Sequence, residues 1–315
     1  MTIAIIVIAI VVVLVLGLYF SANYLYSYCL NPRKRIRPLK VMDESLSQEE
    51  KTTIESTILN GDWFRSVLQY ETYITSFDGL KLHSYIIEND SDKWVIVQHG
   101  YKDSADRMLD YARNFHSMGY NVLLPDARWH GKSEGSYIGL GWHDRLDIMK
   151  WIDYINQNND DVQIVLFGVS MGASTMMMIS GERLPTNVRC IIEDSGYTSI
   201  CEQLKYQLKS KFNIPSFPIL NVANIICKVK NDYNFYKEGS SIEQIKKCTI
   251  PMLFIHGGLD SFVPFYMLQI LYNSATCEKE KMVIEGAKHI KGASLNPEKY
   301  WGGVSAFLNR VFADL

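Results

Sequence analysis

The 315-residue sequence lacks the features that usually mark metal-binding, disulfide-linked and nucleic-acid-binding proteins. Its six cysteines include no CxxC pair and no run of cysteine with histidine, which argues against a zinc site and a dense disulfide framework. A net charge of −2 leaves no basic field to hold a phosphate backbone, so we expect no nucleic-acid partner. A dinucleotide fingerprint is also missing, and we expect no cofactor and no metal. Small-molecule chemistry carried out by side chains alone is the remaining expectation.

Charge is missing from the amino terminus, because no charged side chain precedes Arg33. Thr2 to Phe20 is an unbroken apolar run of 19 residues. At ~1.5 Å per residue, a helix of that length spans about the ~30 Å hydrocarbon core of a bilayer. The run has no basic segment before it and is longer than the apolar core of a usual signal peptide, although a cleaved signal remains the alternative. The sequence therefore predicts a transmembrane anchor over residues 1–30.

The residues that flank this run suggest an orientation in the membrane. Several tyrosines suit an interfacial aromatic belt, and basic residues follow them. The tyrosines are Tyr19, Tyr24, Tyr26 and Tyr28, and the basic residues are Arg33, Lys34, Arg35, Arg37 and Lys40. By the positive-inside rule, we expect a single-pass protein of the cell membrane whose large domain faces the cytoplasm.

The rest of the chain divides into a stalk and one large domain. Residues 31–69 are predicted to be a juxtamembrane stalk, since Asn31-Pro32 interrupts any long helix. From 70 to 315, a hairpin signal at Asp78-Gly79 is followed by short apolar strands that alternate with amphipathic helices. This alternation predicts an α/β fold with a mostly parallel sheet and helices on both faces. At about 198–249 a lysine-rich and aromatic insertion replaces the strand signal, and we expect it to form a small helical lid over the ligand-binding edge of the sheet.

The motif Gly168-Val169-Ser170-Met171-Gly172 carries the clearest chemical signal. It lies directly after the apolar strand that ends at Phe167 and directly before a helix of small residues. A nucleophile elbow needs this context, because the chain turns so sharply that only glycine fits beside the serine. Gly131-Lys132-Ser133-Glu134-Gly135 also matches G-x-S-x-G, but no strand enters it and no helix follows. Ser170 is the predicted nucleophile, and Ser133 is interpreted as a chance match.

A serine nucleophile needs a histidine base that a carboxylate holds in one tautomer. In this strand–turn–helix context the chain order is serine, acid, histidine. Asp260 and His289 fit, because each follows a late strand at the sheet edge where Ser170 lies. His256 is an alternative base, although a buried structural histidine is its expected identity. Asp194 is an alternative acid, or a turn residue beside the lid.

The tetrahedral intermediate of such a reaction also needs two backbone N–H donors. Met171, the residue after the nucleophile, is predicted to supply one of them. The turn His99-Gly100-Tyr101 follows an early apolar strand, and its glycine lets the backbone approach the substrate. The N–H of Tyr101 is therefore the second predicted donor, with a surface tyrosine in a glycine turn as the alternative.

Taken together, these segments resemble the α/β-hydrolase superfamily over about residues 70–312. The resemblance is closest to a bacterial, membrane-anchored branch related to serine aminopeptidases and prolyl-oligopeptidase-type hydrolases. It implies the triad and oxyanion donors named above, and it implies that Asp126, Arg128 and the loop at His130-Gly131 are structural. The segments that carry it are Val97-Gln98-His99-Gly100, residues 126–135, Gly168 to Gly172, Glu193-Asp194-Ser195-Gly196-Tyr197 and residues 256–264.

The substrate is less well defined, because this superfamily holds esterases, lipases, peptidases and thioesterases on one scaffold. One side of the lid is apolar, which suits an acyl chain or merely packs the lid onto the core; its residues are Phe212, Ile214, Phe217, Ile219, Leu220, Val222, Ile225 and Ile226. A peptidase that binds an amino terminus needs a carboxylate, and nothing singles out Glu193, Asp194 or Glu202. We therefore expect a serine esterase acting on a small ester, with a peptidase as the alternative. A binding protein that kept the scaffold and lost catalysis is the alternative of another class.

Overall fold

The computed structural model describes residues 1–31, 48–157 and 161–313 of the chain. These residues contain eight strands and eleven α-helices. The strands are β1 (Gln69–Thr75), β2 (Lys81–Ile87), β3 (Lys93–Gln98), β4 (Asn121–Pro125), β5 (Gln163–Val169), β6 (Val188–Asp194), β7 (Met252–Gly257) and β8 (Lys279–Ile284). The helices are α1 (Thr2–Leu30), α2 (Gln48–Ser66), α3 (Leu109–Ser117), α4 (Asp144–Asn156), α5 (Met171–Ile179), α6 (Ile200–Phe212), α7 (Ile219–Asn231), α8 (Ser241–Ile245), α9 (Tyr266–Ser274), α10 (Gly292–Leu295) and α11 (Pro297–Ala313).

The strands form one sheet in the order β1-β2-β4-β3-β5-β6-β7-β8. The hairpin predicted at Asp78-Gly79 is present, and Gly79 takes the positive φ of 88° that the turn requires. β2 also pairs antiparallel with β4. The remaining pairs are parallel: β4 with β3, β3 with β5, β5 with β6, β6 with β7 and β7 with β8. The expectation of an α/β fold with a mostly parallel sheet is confirmed.

The buried strands carry apolar side chains to both faces of the sheet. Along β3, Val95 and Val97 point to the face covered by α3 and α11, whereas Ile96 points to the face covered by α4, α5 and α9. Neighbouring residues of a strand point to opposite faces, so a continuous apolar run is what a sheet covered on both sides requires. Because both faces are covered, the carboxyl ends of the parallel strands are left as the edge where a ligand can approach.

The insertion between β6 and β7 consists of α6, α7 and α8, and we call it the lid. The buried face of the lid forms a third apolar cluster, which includes Leu208, Leu220 and Ile226. This cluster lies against Met171, the first residue of α5. The lid therefore covers the point at which β5 passes into α5.

Helix α1 extends ten residues beyond the apolar run that predicted it. Its last turns are not free, because Ala22, Tyr26 and Leu30 are buried against the lid cluster. The segment after Phe20 contains neither proline nor glycine before Asn31, so nothing in it stops the helix. Over its apolar run α1 is long and apolar enough to cross a membrane.

The basic residues predicted to orient the helix, Arg33, Lys34, Arg35, Arg37 and Lys40, lie outside the described residues. The described part of the predicted stalk includes α2. Trp63 and Phe64 of α2, together with Val67 beyond it, pack on the face of the sheet that α3 and α11 cover. This part of residues 31–69 is therefore a helix docked on the α/β domain, because its aromatic side chains find apolar partners there.

The loop after β4 is held by two buried ionic centres. The Asp126 carboxylate accepts hydrogen bonds from the N–H groups of Ala105 and Lys132 at 2.8 and 2.9 Å and contacts His83 Nδ1 at 2.8 Å. Burial alone would raise the pKa of Asp126, but these hydrogen bonds lower it to about 2. Arg128 is fully buried, and its guanidinium donates to both oxygens of Asp147 and to Asp78. The loop is thus fixed by charge-assisted hydrogen bonds, as the resemblance implies.

Replacing Arg128 by alanine should test how much this loop contributes to stability. Arg128→Ala leaves the buried Asp147 carboxylate without its partner, so we expect the free energy of unfolding to fall by ~3–5 kcal/mol. Urea unfolding of the full chain in detergent, followed by tryptophan fluorescence, measures this. Arg65→Ala removes an exposed pair with Asp62 and should change stability by less than ~1 kcal/mol. Equal losses in the two variants would contradict a special role for the buried centre.

Candidate active site

Ser170 lies in a backbone conformation that the surrounding strands impose. It stands between the last residue of β5 and the first residue of α5, with φ 56° and ψ −115°. This region is sparsely populated for residues other than glycine and persists only where the neighbouring structure holds it. The N–H of Ser170 donates to the carbonyl of Asp194, at the end of β6, at 2.8 Å. The turn is therefore anchored to the adjacent strand.

The two glycines of the motif leave no room for a side chain. A Cβ atom at Gly168 would lie 2.3 Å from the backbone of Gly172, and one at Gly172 would lie 2.3 Å from the carbonyl oxygen of Gln98. Such distances are far below a van der Waals contact, so the strand, the turn and the helix can approach one another only with glycine at both positions. The local geometry is that of a nucleophile elbow.

The structure brings the three predicted triad residues into one hydrogen-bonded chain. His289 Nε2 lies 2.8 Å from Ser170 Oγ, and His289 Nδ1 lies 2.7 Å from Asp260 Oδ2. Asp260 follows β7 and His289 follows β8, so both reach the carboxyl edge of the sheet from separate strands. With Nδ1–H donating to the carboxylate, Nε2 is left to accept the serine proton.

The alternative residues are engaged elsewhere. Ser133 is buried, donates to the carbonyl of Asp126 at 2.7 Å and accepts from the N–H of His83 at 2.9 Å. Asp194 accepts hydrogen bonds from the hydroxyls of Ser195 and Tyr300 at 2.7 and 2.8 Å. These partners hold Ser133 and Asp194 in structural arrangements of their own.

Comparison with known proteins supports a hydrolase. A family model described as serine aminopeptidase, S33, matches residues 89–223. The chain is 29% identical to the uncharacterized protein YqkD of Bacillus subtilis over 79% of this chain and 83% of that one. It is 26% identical to the esterase Pf2001 of Pyrococcus furiosus, with a TM-score of 0.64 over 78% of this chain and 93% of the esterase. It is also 26% identical to the lysophosphatidylserine lipase ABHD12 of Xenopus tropicalis, over 58% of this chain and 46% of the lipase.

The chain has the α/β-hydrolase fold. Both the family model and the solved esterase structure support a hydrolase. Over residues 1–31, 48–157 and 161–313, His, Cys, Asp and Glu side chains form no group of three or more placed to hold a metal ion.

Both predicted oxyanion donors of this hydrolase lie beside the serine. Met171 begins α5, so its N–H has no acceptor within the helix. A Cβ atom at Gly100 would lie 3.3 Å from Ser170 Cβ and 3.8 Å from its Oγ, which places the turn before Tyr101 against the nucleophile. Tyr101 and Met171 also line the cavity into which Ser170 opens.

The carboxylate of Asp260 is kept ionised by its neighbours. Burial raises the pKa of Asp260, but hydrogen bonds from His256 and His289 outweigh it and lower the pKa to about 2. The N–H groups of Phe262 and Val263 also donate to Asp260 Oδ1, at 2.8 and 3.0 Å. His256 Nε2 lies 3.0 Å from the carbonyl oxygen of Val263 and 3.3 Å from Asp260 Oδ2. His256 thus lies behind the acid rather than beside Ser170.

A cavity of about 270 Å³ opens at Ser170 between the sheet edge, the lid and α1. No aspartate or glutamate is among the described residues that line it; besides Ser170 they are Leu25, Tyr28, Cys29, Tyr101, Lys102, Leu140, Met171, Tyr197, Ile200, Gln203, Leu204, Gln207, Leu208, Lys211, Phe212 and Phe262. Of the lid residues predicted to face an acyl chain, Phe212 lines the cavity, Leu220 and Ile226 are buried in the lid cluster, and Phe217 and Ile225 are exposed.

The lining residues of α1 were missed by sequence analysis. Tyr26 and Tyr28 were interpreted as part of an aromatic belt, but Tyr26 is buried and donates to Asn231 Oδ1 at 2.7 Å, and Tyr28 lines the cavity. The sequence does indicate that one face of α1 could be buried, because Ala22, Tyr26 and Leu30 recur at a spacing of four and lie on one face of a helix. Nothing in that spacing identifies what the face contacts.

Glu193, at the end of β6, makes stability depend on pH. Burial raises the pKa of its carboxyl to about 8 from an ordinary 4.5, so the folded state holds a proton that the unfolded state releases between these values. The free energy of unfolding should therefore fall as pH rises through that window. Glu193→Gln keeps an acceptor for the N–H of Gly196, which donates to Glu193 at 2.9 Å. We expect equal melting temperatures near pH 5 and a melting temperature at least ~3 °C higher for the variant near pH 9.

Thermal unfolding of both proteins at these pH values measures the difference. Glu243→Gln is the matched control, since Glu243 lies on the surface with its side chain 61% exposed. A gain for Glu193→Gln that is the same at both pH values, or a similar gain in the control, would contradict a buried protonated carboxyl.

Proposed function

We propose that this protein is a membrane-anchored serine esterase that cleaves a carboxylic ester through an acyl-enzyme on Ser170. One observation carries the proposal. Ser170, His289 and Asp260 are linked at 2.8 and 2.7 Å, and Ser170 opens into a largely apolar cavity. A hydroxyl is a weak nucleophile unless a base is within hydrogen-bond reach, and the chain of contacts supplies that base together with the carboxylate that orients it.

In the first half of the reaction, Ser170 Oγ attacks the ester carbonyl while His289 Nε2 takes its proton. The imidazolium that forms is stabilised by the Asp260 carboxylate, which is ionised well below neutral pH. The carbonyl oxygen becomes an oxyanion and is bound by the N–H groups of Tyr101 and Met171. Donors of this kind are worth ~3–4 kcal/mol each, because they stabilise charge that exists only in the transition state.

In the second half, the tetrahedral intermediate collapses and His289 gives its proton to the leaving alcohol. The acyl group then remains on Ser170 as an ester. Water attacks this ester while His289 takes a proton from it, and His289 then gives this proton to Ser170 Oγ as the carboxylic acid leaves. Every proton moves between Ser170, the substrate, water and His289, so the reaction needs no cofactor.

Several observations favour an ester over the amino terminus of a peptide. An aminopeptidase must bind an ammonium group, and no carboxylate is among the described residues that line the cavity. Glu193 accepts from Gly196, Asp194 accepts from Ser195 and Tyr300, and Glu202 pairs with Lys205 on the lid surface. The names of two similar proteins, the esterase and the lysophosphatidylserine lipase, also describe ester substrates.

Helix α1 is proposed to remain as a single membrane span. A cleaved signal would leave the protein without Ala22, Tyr26 and Leu30, whose side chains are buried against the lid cluster. Their removal would expose apolar surface beside the cavity, at a cost of about 25 cal/mol per Å². The large domain is proposed to face the cytoplasm, on the positive-inside rule alone.

The nucleophile can be identified by labelling with a fluorophosphonate probe. We expect the full chain in nanodiscs to be labelled, and Ser170→Ala to abolish labelling because the probe reacts only with an activated serine. Gel fluorescence measures it. Ser133→Ala is the control, since Ser133 lies in the competing motif. The Ser133→Ala variant should be labelled in proportion to its folded fraction. No labelling of folded wild-type protein would favour the binding-protein alternative.

The acyl preference separates an esterase from an aminopeptidase. The p-nitrophenyl esters of 2-methylpropanoic acid and of alanine have the same leaving group and differ by a methyl in place of an ammonium. We expect kcat/KM to be at least ~10-fold higher for the methyl compound, because burying an unpaired charge is unfavourable. Release of p-nitrophenol measures both rates, with Ser170→Ala as the blank. The reverse preference would identify an aminopeptidase.

A further inference from the structure

The membrane helix forms part of the cavity wall. Leu25, Tyr28 and Cys29, in the last two turns of α1, line the same cavity as Ser170. The ring of Tyr28 also packs edge-on against Phe212 of the lid, with their centroids 6.2 Å apart. Without these turns, the cavity would be open on that side.

Polar contacts fix α1 in this position. The last carbonyl groups of a helix accept no hydrogen bond from within the helix. Here the domain donates hydrogen bonds to them. The hydroxyl of Tyr101 donates to the carbonyl of Cys29 at 2.7 Å, and the N–H of Ile138 donates to the carbonyl of Leu30 at 2.7 Å. Tyr101 is also the proposed oxyanion donor. The end of α1 is thus joined through the Tyr101 side chain to the turn beside the nucleophile.

The position of this wall along α1 sets its distance from the membrane. Leu25 and Cys29 follow the apolar run by five and nine residues, or about 8 and 14 Å at ~1.5 Å per residue. The headgroup layer on each side of a bilayer is about 5–8 Å thick. The cavity wall therefore begins at the outer edge of the headgroups.

The lid also carries exposed apolar side chains. Ile225 and Val229 lie one turn apart on α7 and are 61% and 80% exposed, and Phe217, just before α7, is 73% exposed. Large apolar side chains grouped in this way are typical of a surface that meets a membrane or another partner. Lys230, on the same helix, contacts Asn23 of α1. The carboxyl end of α7 therefore lies beside Asn23, close to the point where α1 begins to contact the domain.

We propose that the substrate is a single-chain acyl ester taken from the bilayer in which α1 is anchored, with its acyl chain lying along Leu25, Tyr28 and Cys29 and its carbonyl at Ser170. This inference rests on the proposed esterase function. The cavity of about 270 Å³ is smaller than the ~300–1,000 Å³ of typical drug-sized sites, so it suits one chain rather than two. A single chain is also withdrawn from the membrane more easily than two, because less apolar surface leaves the bilayer.

Variants at Leu25 test the wall. Leu25→Trp fills the cavity, and Leu25→Ala enlarges it. The full chain in nanodiscs is assayed with p-nitrophenyl esters from acetate to dodecanoate. We expect Leu25→Trp to lower the ratio of kcat/KM for decanoate over acetate at least ~10-fold, since even one methylene in an apolar pocket changes rates by about that factor. Leu25→Ala should move the optimum toward longer chains, so the test holds even if the tryptophan variant fails to fold.

Tyr24→Trp is the matched control. Tyr24 is the neighbouring residue on α1, is 71% exposed and is absent from the cavity lining. The ratio of kcat/KM for decanoate over acetate in Tyr24→Trp should therefore stay within ~2-fold of the wild type. Unchanged ratios in both Leu25 variants, or equal changes in Tyr24→Trp, would overturn the inference while leaving the esterase intact. A folded wild-type protein that turns over no ester of any chain length would instead overturn the proposed function and this inference with it.

The source of the ester is tested separately with a monoacylglycerol that partitions into the nanodiscs. If the chain enters from the bilayer, the rate follows the mole fraction of the ester in the lipid at constant bulk concentration. A rate that follows the bulk concentration at constant mole fraction would overturn entry from the membrane.

Discussion

The whole site depends on the backbone of Ser170, which is held at φ 56° between β5 and α5. A conformation of this kind is unfavourable by itself and persists only when stronger interactions surround it. Here the surrounding interactions are the ladders of β5 with β3 and β6, both fully inside the sheet, and the close approach that Gly168 and Gly172 permit. Because the strands cannot move apart, the hydroxyl is fixed at the edge where β7 and β8 deliver their own loops.

A second constraint is the pKa of the buried carboxyl groups, which depends on their surroundings. Asp260 and Asp126 receive several hydrogen bonds each, and the pKa of both is lowered to about 2. Glu193 and Asp194 are more deeply buried, and there burial outweighs their hydrogen bonds and raises their pKa values. The pKa of each buried carboxyl is therefore set by the balance between its burial and the donors around it. The acid beside His289 is one that stays charged.

A third constraint is the packing of α1 against the site. In this chain the last three turns of α1 bury three side chains, receive hydrogen bonds from the domain and line the cavity. Helix α1 and the pocket are therefore one packed unit, and the direction in which α1 leaves the domain is fixed by these contacts.

The sequence by itself determined the α/β fold, the parallel strands and their approximate ends, because alternation of apolar strands and amphipathic helices is a local pattern. It also singled out Ser170, Asp260 and His289, since the glycines and the order of the three along the chain are local signals as well. Their catalytic roles stay predictions, although the structure brings the three side chains together. Two features needed tertiary structure: the docking of α2, and the use of Leu25, Tyr28 and Cys29 as a cavity wall. Both depend on which distant surface a helix face meets, and residues 25 and 170 come together only after folding, so no local pattern in the sequence encodes that contact.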